Sequence, residues 1–217
     1  MTSLPSEQEQ LPNTSNPLSA WLALSYSSHL TRAVEIALVG DHSLRVFGHP
    51  FDGRHFYALR RALERQQIPV SRQWVWRFPC PCGNLGGPAH PCTCTPLALH
   101  RSKLRTALVA YDLNLDLPRP YEPELRHRSS SEPLDRVLER AAAARALLSA
   151  IDQEAIYEHF KAEVRRHHLH LEQREAVARV ALSVAALAAV HHEARYVSTA
   201  DLAEAVQFQT QYRLAQS

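Results

Sequence analysis

Four cysteines fall within 15 residues, in the pattern Cys80-x-Cys82-x9-Cys92-x-Cys94. Four thiolates suit a tetrahedral Zn²⁺ ion, and Gly83, Gly86 and Gly87 give the intervening loop the freedom to bring the two pairs together. His90, inside that loop, is a donor able to replace one cysteine. Four protein ligands leave no open coordination position, so the expected role is structural. The Cys-x-Cys spacing is tighter than usual for zinc, which leaves reduced thiols or a redox disulfide as alternatives. A second constellation is Gly48-His49-Pro50-Phe51-Asp52-Gly53-Arg54-His55. Its glycines have the spacing of a phosphate-binding loop, in which backbone N–H groups curl round the anion ahead of a helix. Gly48, Gly53, Arg54 and His55 are therefore the candidate nucleotide contacts. Arg54 stands where that chemistry wants a lysine, and its planar fork is not equivalent to an ammonium. His55 stands where a hydroxyl should hold Mg²⁺, and imidazole is a poor ligand for so hard a cation. The alternative is a turn with two convenient glycines.

Other clusters read as structural. Arg60, Arg61, Arg65, Arg72 and Arg77 lie near Trp74 and Trp76, a combination that suits single-stranded nucleic acid. The formal net charge is only +2, so a solvated face with strand-packed indoles is the expected reading. His167, His168, His170, His191 and His192 lie on or beside helices and read as surface residues near helix C-termini.

The elements that must position these groups follow from periodicity and punctuation. Trp21 to Val39 has a helical pattern, with Leu30, Ala33, Val34 and Ala37 on one face. Ser43–Phe47, Trp74–Phe78 and Asp112–Leu117 read as strands, and Arg54 to Gln66 as a helix. Leu134–Ile151, a segment capped by Asp152 and running to His167, Leu171–Val190, and a last segment capped by Ser198 or Thr199 read as four helices of a small bundle. Residues 1–17 read as a disordered tail. Residues 18–118 form an α/β part with a cysteine loop at 79–96. Residues 119–133 are a Pro- and Ser-rich linker, and 134–217 the helical domain.

The chain has 217 residues, 45% hydrophobic and 21% charged, a globular balance. No apolar run approaches the ~20 residues of a membrane span. No basic residue precedes Arg32 and no apolar stretch opens the chain, so no signal peptide is expected and the expected location is the cytoplasm.

Several segments carry a resemblance. Thr31-Arg32-Ala33-Val34-Glu35-Ile36-Ala37, then Gly40-Asp41-His42-Ser43-Leu44, then the glycine segment, resemble the opening of the AAA+ module of ComM-like, magnesium-chelatase-related ATPases. The resemblance continues through Ala58-Leu59-Arg60, Leu63-Glu64 and Val70-Ser71-Arg72. It is strongest at Pro79-Cys80-Pro81-Cys82-Gly83, with Cys92-x-Cys94-x-Pro96 behind it. Leu202-Ala203-Glu204-Ala205-Val206-Gln207-Phe208 is similar to that family's final helix.

The departures are as informative. The family's segment ending in an acidic Walker B pair is missing. Its asparagine before Pro-Cys-Pro-Cys-Gly is Phe78 here, and its lid arginine falls at Glu172 or Ala176. Hydrolysis needs held Mg²⁺, a positioned water and charge stabilisation, and each has lost its usual residue. The resemblance thus implies a shortened, non-hydrolysing AAA+ remnant: a mainly parallel sheet of about three strands, then a helical lid, mostly α overall. In the family's sheet order the strand at 43–47 would lie between those at 74–78 and 112–117. The deletion would then expose a new edge that something must cover. ATP and ADP are not expected as ligands, and without them the lid is expected to be held by apolar packing alone. The implied role is accessory or regulatory, with a protein partner, a second copy of the chain or DNA as candidate partners and no membrane. A weak hydrolase and a zinc-stabilised interaction module are the alternatives.

Overall fold

The computed structural model describes residues 17–25, 27–48, 50–78, 80–82, 91–107, 111–117, 132–152, 160, 169, 171–192 and 196–214. Three short strands, β1 (Leu44–Phe47), β2 (Trp74–Arg77) and β3 (Leu113–Asp116), pair in parallel in the order β2-β1-β3. Leu44 registers with Trp74 on one side and Leu113 on the other, and Val46 with Trp76 and Leu115. The first strand is therefore central, as the family-like order requires. Each strand is shorter than its sequence pattern predicts. Ser43 and Asp112 bond to each other through side chains ahead of β1 and β3, and Phe78 turns to solvent beyond β2.

The helices are α1 (Pro17–Leu24), α2 (Ser28–Gly40), α3 (Pro50–Arg65), α4 (Pro96–Ala107), α5 (Leu134–Leu147), α6 (Leu171–Ala189) and α7 (Thr199–Leu214), with a 3₁₀ turn at Leu148–Ala150 after α5. The single helix expected over Trp21–Val39 is two. The break comes before Ser27, whose extended backbone and hydroxyl, accepting from the Leu30 N–H at 3.3 Å, start α2 afresh. Pro17, assigned to the tail, instead opens α1, which buries Ala20, Trp21 and Leu24; residues 1–16 lie outside the described residues. Helix α4 was not anticipated. Thr95 caps it by accepting from the Ala98 N–H at 3.2 Å, and Pro96 takes the first helical position, which suits proline. Ser198 does cap α7, its hydroxyl and N–H closing a box with Asp201. The helix expected over 152–167 and the linker at 119–131 lie outside the described residues, except that Phe160 is helical. Among the described residues no helix is long and apolar enough to cross a membrane.

Helix α2 is buried nearly all round because it packs on β1 and β3 and also on α5 and α6. One apolar core thus runs from Leu44, Trp74 and Leu113 through Ile36 to Val137, Val180 and Leu202. The expectation that apolar packing alone holds the helical part is overturned. Glu35, 3% exposed in the middle of α2, accepts from Arg140 at 2.6 Å and Arg32 at 3.1 Å, and Arg32 reaches Glu204 of α7 at 2.8 Å. A carboxylate buried on an apolar helix needs such partners, because an unpaired one costs several kcal/mol or more. The Arg145 guanidinium also donates to the Val39 carbonyl at 3.1 Å.

Both sheet edges are stoppered by side chains. The ladder bonds Leu44 N–H to Gln73 O and Gly48 N–H to Arg77 O. Alternation then turns the Trp74 and Trp76 backbone outward. The Tyr57 hydroxyl accepts from the Trp76 N–H at 3.0 Å, and Arg60 donates to the Trp74 carbonyl at 3.1 Å. At the other edge α7 packs on β3, and Gln209 donates to the Tyr111 and Asp112 carbonyls at 2.9 and 2.6 Å. This is how the short sheet avoids an open edge.

Candidate metal centre

The four cysteine sulfurs lie within 4.8 Å of one another. Cys80 Sγ is 3.3 Å from Cys82 Sγ and 3.6 Å from Cys92 Sγ, and Cys82 Sγ is 3.6 Å from Cys92 Sγ. A disulfide needs about 2.05 Å, so these are free thiols. A tetrahedral ion with Zn–S bonds of about 2.3 Å sets its sulfurs roughly 3.8 Å apart, so shifts of a few tenths of an ångström in the quoted sulfur pairs bring them to that spacing. Cys80 is buried and the other three half-buried. The Cys82 N–H donates to Cys94 Sγ at 3.3 Å, a bond that favours the thiolate a metal requires. Loss of water around Cys94 pushes its thiol up to about 12; the Cys82 N–H opposes this, and the neighbouring thiols reinforce it. The cluster closes the crossover between β2 and α4, with Cys80 three residues past Arg77 and Cys94 two before Pro96. His90 lies outside the described residues.

The glycine segment has a different geometry from a loop. Helix α3 starts at Pro50, so Gly53, Arg54 and His55 lie within its first turns, four residues ahead of the predicted start at Arg54. Gly48 is buried, and its N–H is spent on Arg77 O at 3.0 Å. A Cβ on Gly48 would collide with Cζ2 of Trp76, and one on Gly53 would come 2.8 Å from Trp76 Cδ1. Neither glycine has a left-handed φ, so what they supply is room for an indole. Trp76 is 4% exposed and tilts against Phe56 with ring centroids 5.4 Å apart. Arg54 is exposed, His55 half-buried, Phe78 47% exposed, and Ala176 buried in α6. Among the described residues the group able to hold a metal consists of the four cysteines, with no member from the glycine segment.

The arginine–tryptophan stretch divides as expected of a solvated face. Arg61, Arg65, Arg72 and Arg77 are exposed, Arg60 pairs with Glu64 at 2.9 Å, and both indoles are buried and so closed to base stacking. His191 and His192 are exposed in the turn after α6; His167, His168 and His170 lie outside the described residues.

One constellation escaped sequence reasoning. His42 Nε2 is 2.8 Å from Ser183 Oγ, and His42 Nδ1 is 3.8 Å from Asp112 Oδ2. The residue types are those of a serine-hydrolase triad, but Ser183 and His42 are 1% and 2% exposed, in mid-helix and under the core. No substrate carbonyl reaches that hydroxyl, so the cluster acts as a buried clamp among α2, β3 and α6. Asp112 also accepts from the Ser43 N–H at 3.0 Å and from Arg179. Burial raises its pKa, but the His42 ring, the Ser43 N–H and the Arg179 guanidinium outweigh this and hold it well below the usual carboxylate range. Nothing in the spacing of positions 42, 112 and 183 announces their meeting.

No family model matches this chain, and neither a curated protein nor a solved structure matches it.

Proposed function

We propose that this chain is a zinc-clasped, non-hydrolysing AAA+-like protein of the ComM and magnesium-chelatase type, working as an accessory or regulatory module rather than a motor. The observation that carries the non-hydrolysing part is the Trp76 indole seated against Gly48 and Gly53. Those glycines would have to present free N–H groups to a phosphate. One N–H is committed to the strand ladder, and the other glycine lies in a helix. The parallel order β2-β1-β3 supports the family part, and the cysteine cluster supports zinc. A link to DNA handling rests on the resemblance alone.

Titration with ATP and with ADP, each with and without Mg²⁺, tests this reading. No rise in thermal midpoint is expected at millimolar nucleotide. A ligand at a hundredfold excess over Kd stabilises by about 2.7 kcal/mol, an effect too large to miss. A clear upward shift, or phosphate release at ~1 s⁻¹ or faster, overturns it. A zinc-stabilised interaction module without nucleotide is the second reading. Two large apolar side chains favour it, since Phe78 and Leu97 bracket the cysteines in sequence and are 47% and 58% exposed.

A further inference from the structure

At the opposite end of the sheet from the cysteines, the residues leading into the three strands form a cleft of about 290 Å³ with α6 and α7. Its walls include Asp41, Ser43, Gln73, Asp112, Glu175, Arg179 and Gln209. The volume is at the small end for a ligand pocket.

Among the described residues three carboxylates and one guanidinium face this space, and the guanidinium is committed. Arg179 pairs with Asp112. Glu175 lies one helical turn before Arg179, the spacing of a stabilising i,i+4 pair. Because Arg179 is drawn to Asp112, Glu175 has no ion partner among the described residues and is exposed. Asp41 is the C-cap of α2, with φ 53°. Its carboxylate is exposed, has no partner among the described residues, and sits at the negative end of the helix dipole, where a cation is favoured.

An independent observation points the same way. Gln209 is 5% exposed, and its Nε2 donates to two backbone carbonyls. Carbonyls only accept, so this fixes the carboxamide's orientation. Its Oε1 is left as an acceptor without a partner among the described residues, on the cleft wall. Among the described residues the cleft thus offers several acceptors and a surplus of negative charge. A point-like metal ion does not fit, because among the described residues only the cysteines converge closely enough to hold one. An extended cation, with N–H donors at separate ends, does.

We propose that this cleft binds a small organic cation bearing two or more primary ammonium or guanidinium groups. Such a ligand touches the end of α2, the start of β3, α6 and α7 together, and so ties the sheet to the helical part.

The test is isothermal titration calorimetry on the full zinc-loaded chain at low ionic strength, with agmatine and spermidine as probes and glutarate and 1,4-butanediol as controls. Saturable one-to-one binding of at least one cation is expected, with no binding of either control. Glu175→Gln and Asp41→Asn are each expected to weaken it about fivefold, the loss of one partly solvated charge contact, and the double variant to abolish it. Both positions are exposed, so unchanged thermal midpoints are expected and confirm that the variants fold. No saturable heat from either cation overturns the proposal. So does undiminished binding in the double variant, or equal binding of glutarate. None of these outcomes depends on whether the Gly48–His55 segment binds nucleotide.

Discussion

Placing a methyl group on Gly48 separates the two readings of the glycine segment. If the glycines exist to seat Trp76, Gly48→Ala forces the indole off Cζ2 contact in a packed core. Overpacking of this kind costs about 1–3 kcal/mol. In a chain of this size that lowers the thermal midpoint by roughly 2–4 °C per kcal/mol. No left-handed backbone is involved, so the cost is steric and is relieved by a smaller neighbour. Trp76→Leu alone loses core volume and costs ~2–4 kcal/mol. Adding Gly48→Ala in that background should cost little, giving a coupling of about 1 kcal/mol or more in the double-mutant cycle. Guanidinium unfolding followed by circular dichroism measures all four corners. Trp21, Trp74 and Trp76 are all buried, so a red shift of fluorescence gives a second probe of the same transition. An unchanged midpoint for Gly48→Ala refutes the packing argument. So does a cycle additive to within about 0.5 kcal/mol. A phosphate loop predicts the reverse pattern, with stability intact and any nucleotide response lost.

Further expectations concern the cysteines, Asp112 and the sheet edge. Elemental analysis of protein purified without a histidine tag should give one zinc per chain, lost when all four cysteines become serine, and chelation should lower the thermal midpoint; unchanged metal content in that variant would show that the ligands lie elsewhere. The folded Asp112 carboxyl titrates below its ordinary 3.8. Its contribution is therefore present above about pH 4 and lost as pH falls further, and Asp112→Asn should remove about 1–2 kcal/mol at pH 6 but less at pH 3; equal losses at both pH values would contradict this. Tyr57→Phe removes the partner of the Trp76 N–H and should cost about 1 kcal/mol while raising concentration-dependent association at the freed β2 edge, checked by light scattering.

What the sequence made legible was what short-range rules govern. The three strands are short segments set off by turn residues, the third marked by its polar–apolar alternation, and the cap of the last helix is narrowed by local residue types to Ser198 or Thr199. The cysteine cluster came from count and proximity along the chain, and the sheet order from the resemblance. What stayed hidden depends on contacts between distant positions. The start of α3 at Pro50 rather than Arg54 is one case. Proline suits a first turn, and the Trp76 indole packs against Gly48 and Gly53 on the same side. The break at Ser27 is hidden in the sequence because apolar residues continue on both sides, and the cap hydrogen bond marks it in the structure. Helix α4 had a readable signal in Thr95-Pro96, masked by the prolines and cysteines just before it.

The polar seam between the sheet and the helical part illustrates a further limit. Glu35 reads as one more residue of an apolar helix, and its partners lie 105 and 3 residues away. His42 and Ser183 are 141 positions apart, and Gly40 leaves the room for that pair, since a Cβ there would meet both side chains. In the family that the chain resembles, a nucleotide sits between the α/β part and the lid. In this chain the Glu35–Arg140 and Asp112–Arg179 pairs and the His42–Ser183 bond span the corresponding two parts. A junction held by such side-chain pairs needs no phosphate to hold it. It is also poorly suited to the repeated opening that a motor requires, because each opening would strand Glu35 and His42 away from their partners. On the proposed non-hydrolysing reading, such a seam suits a junction that stays shut rather than one that cycles.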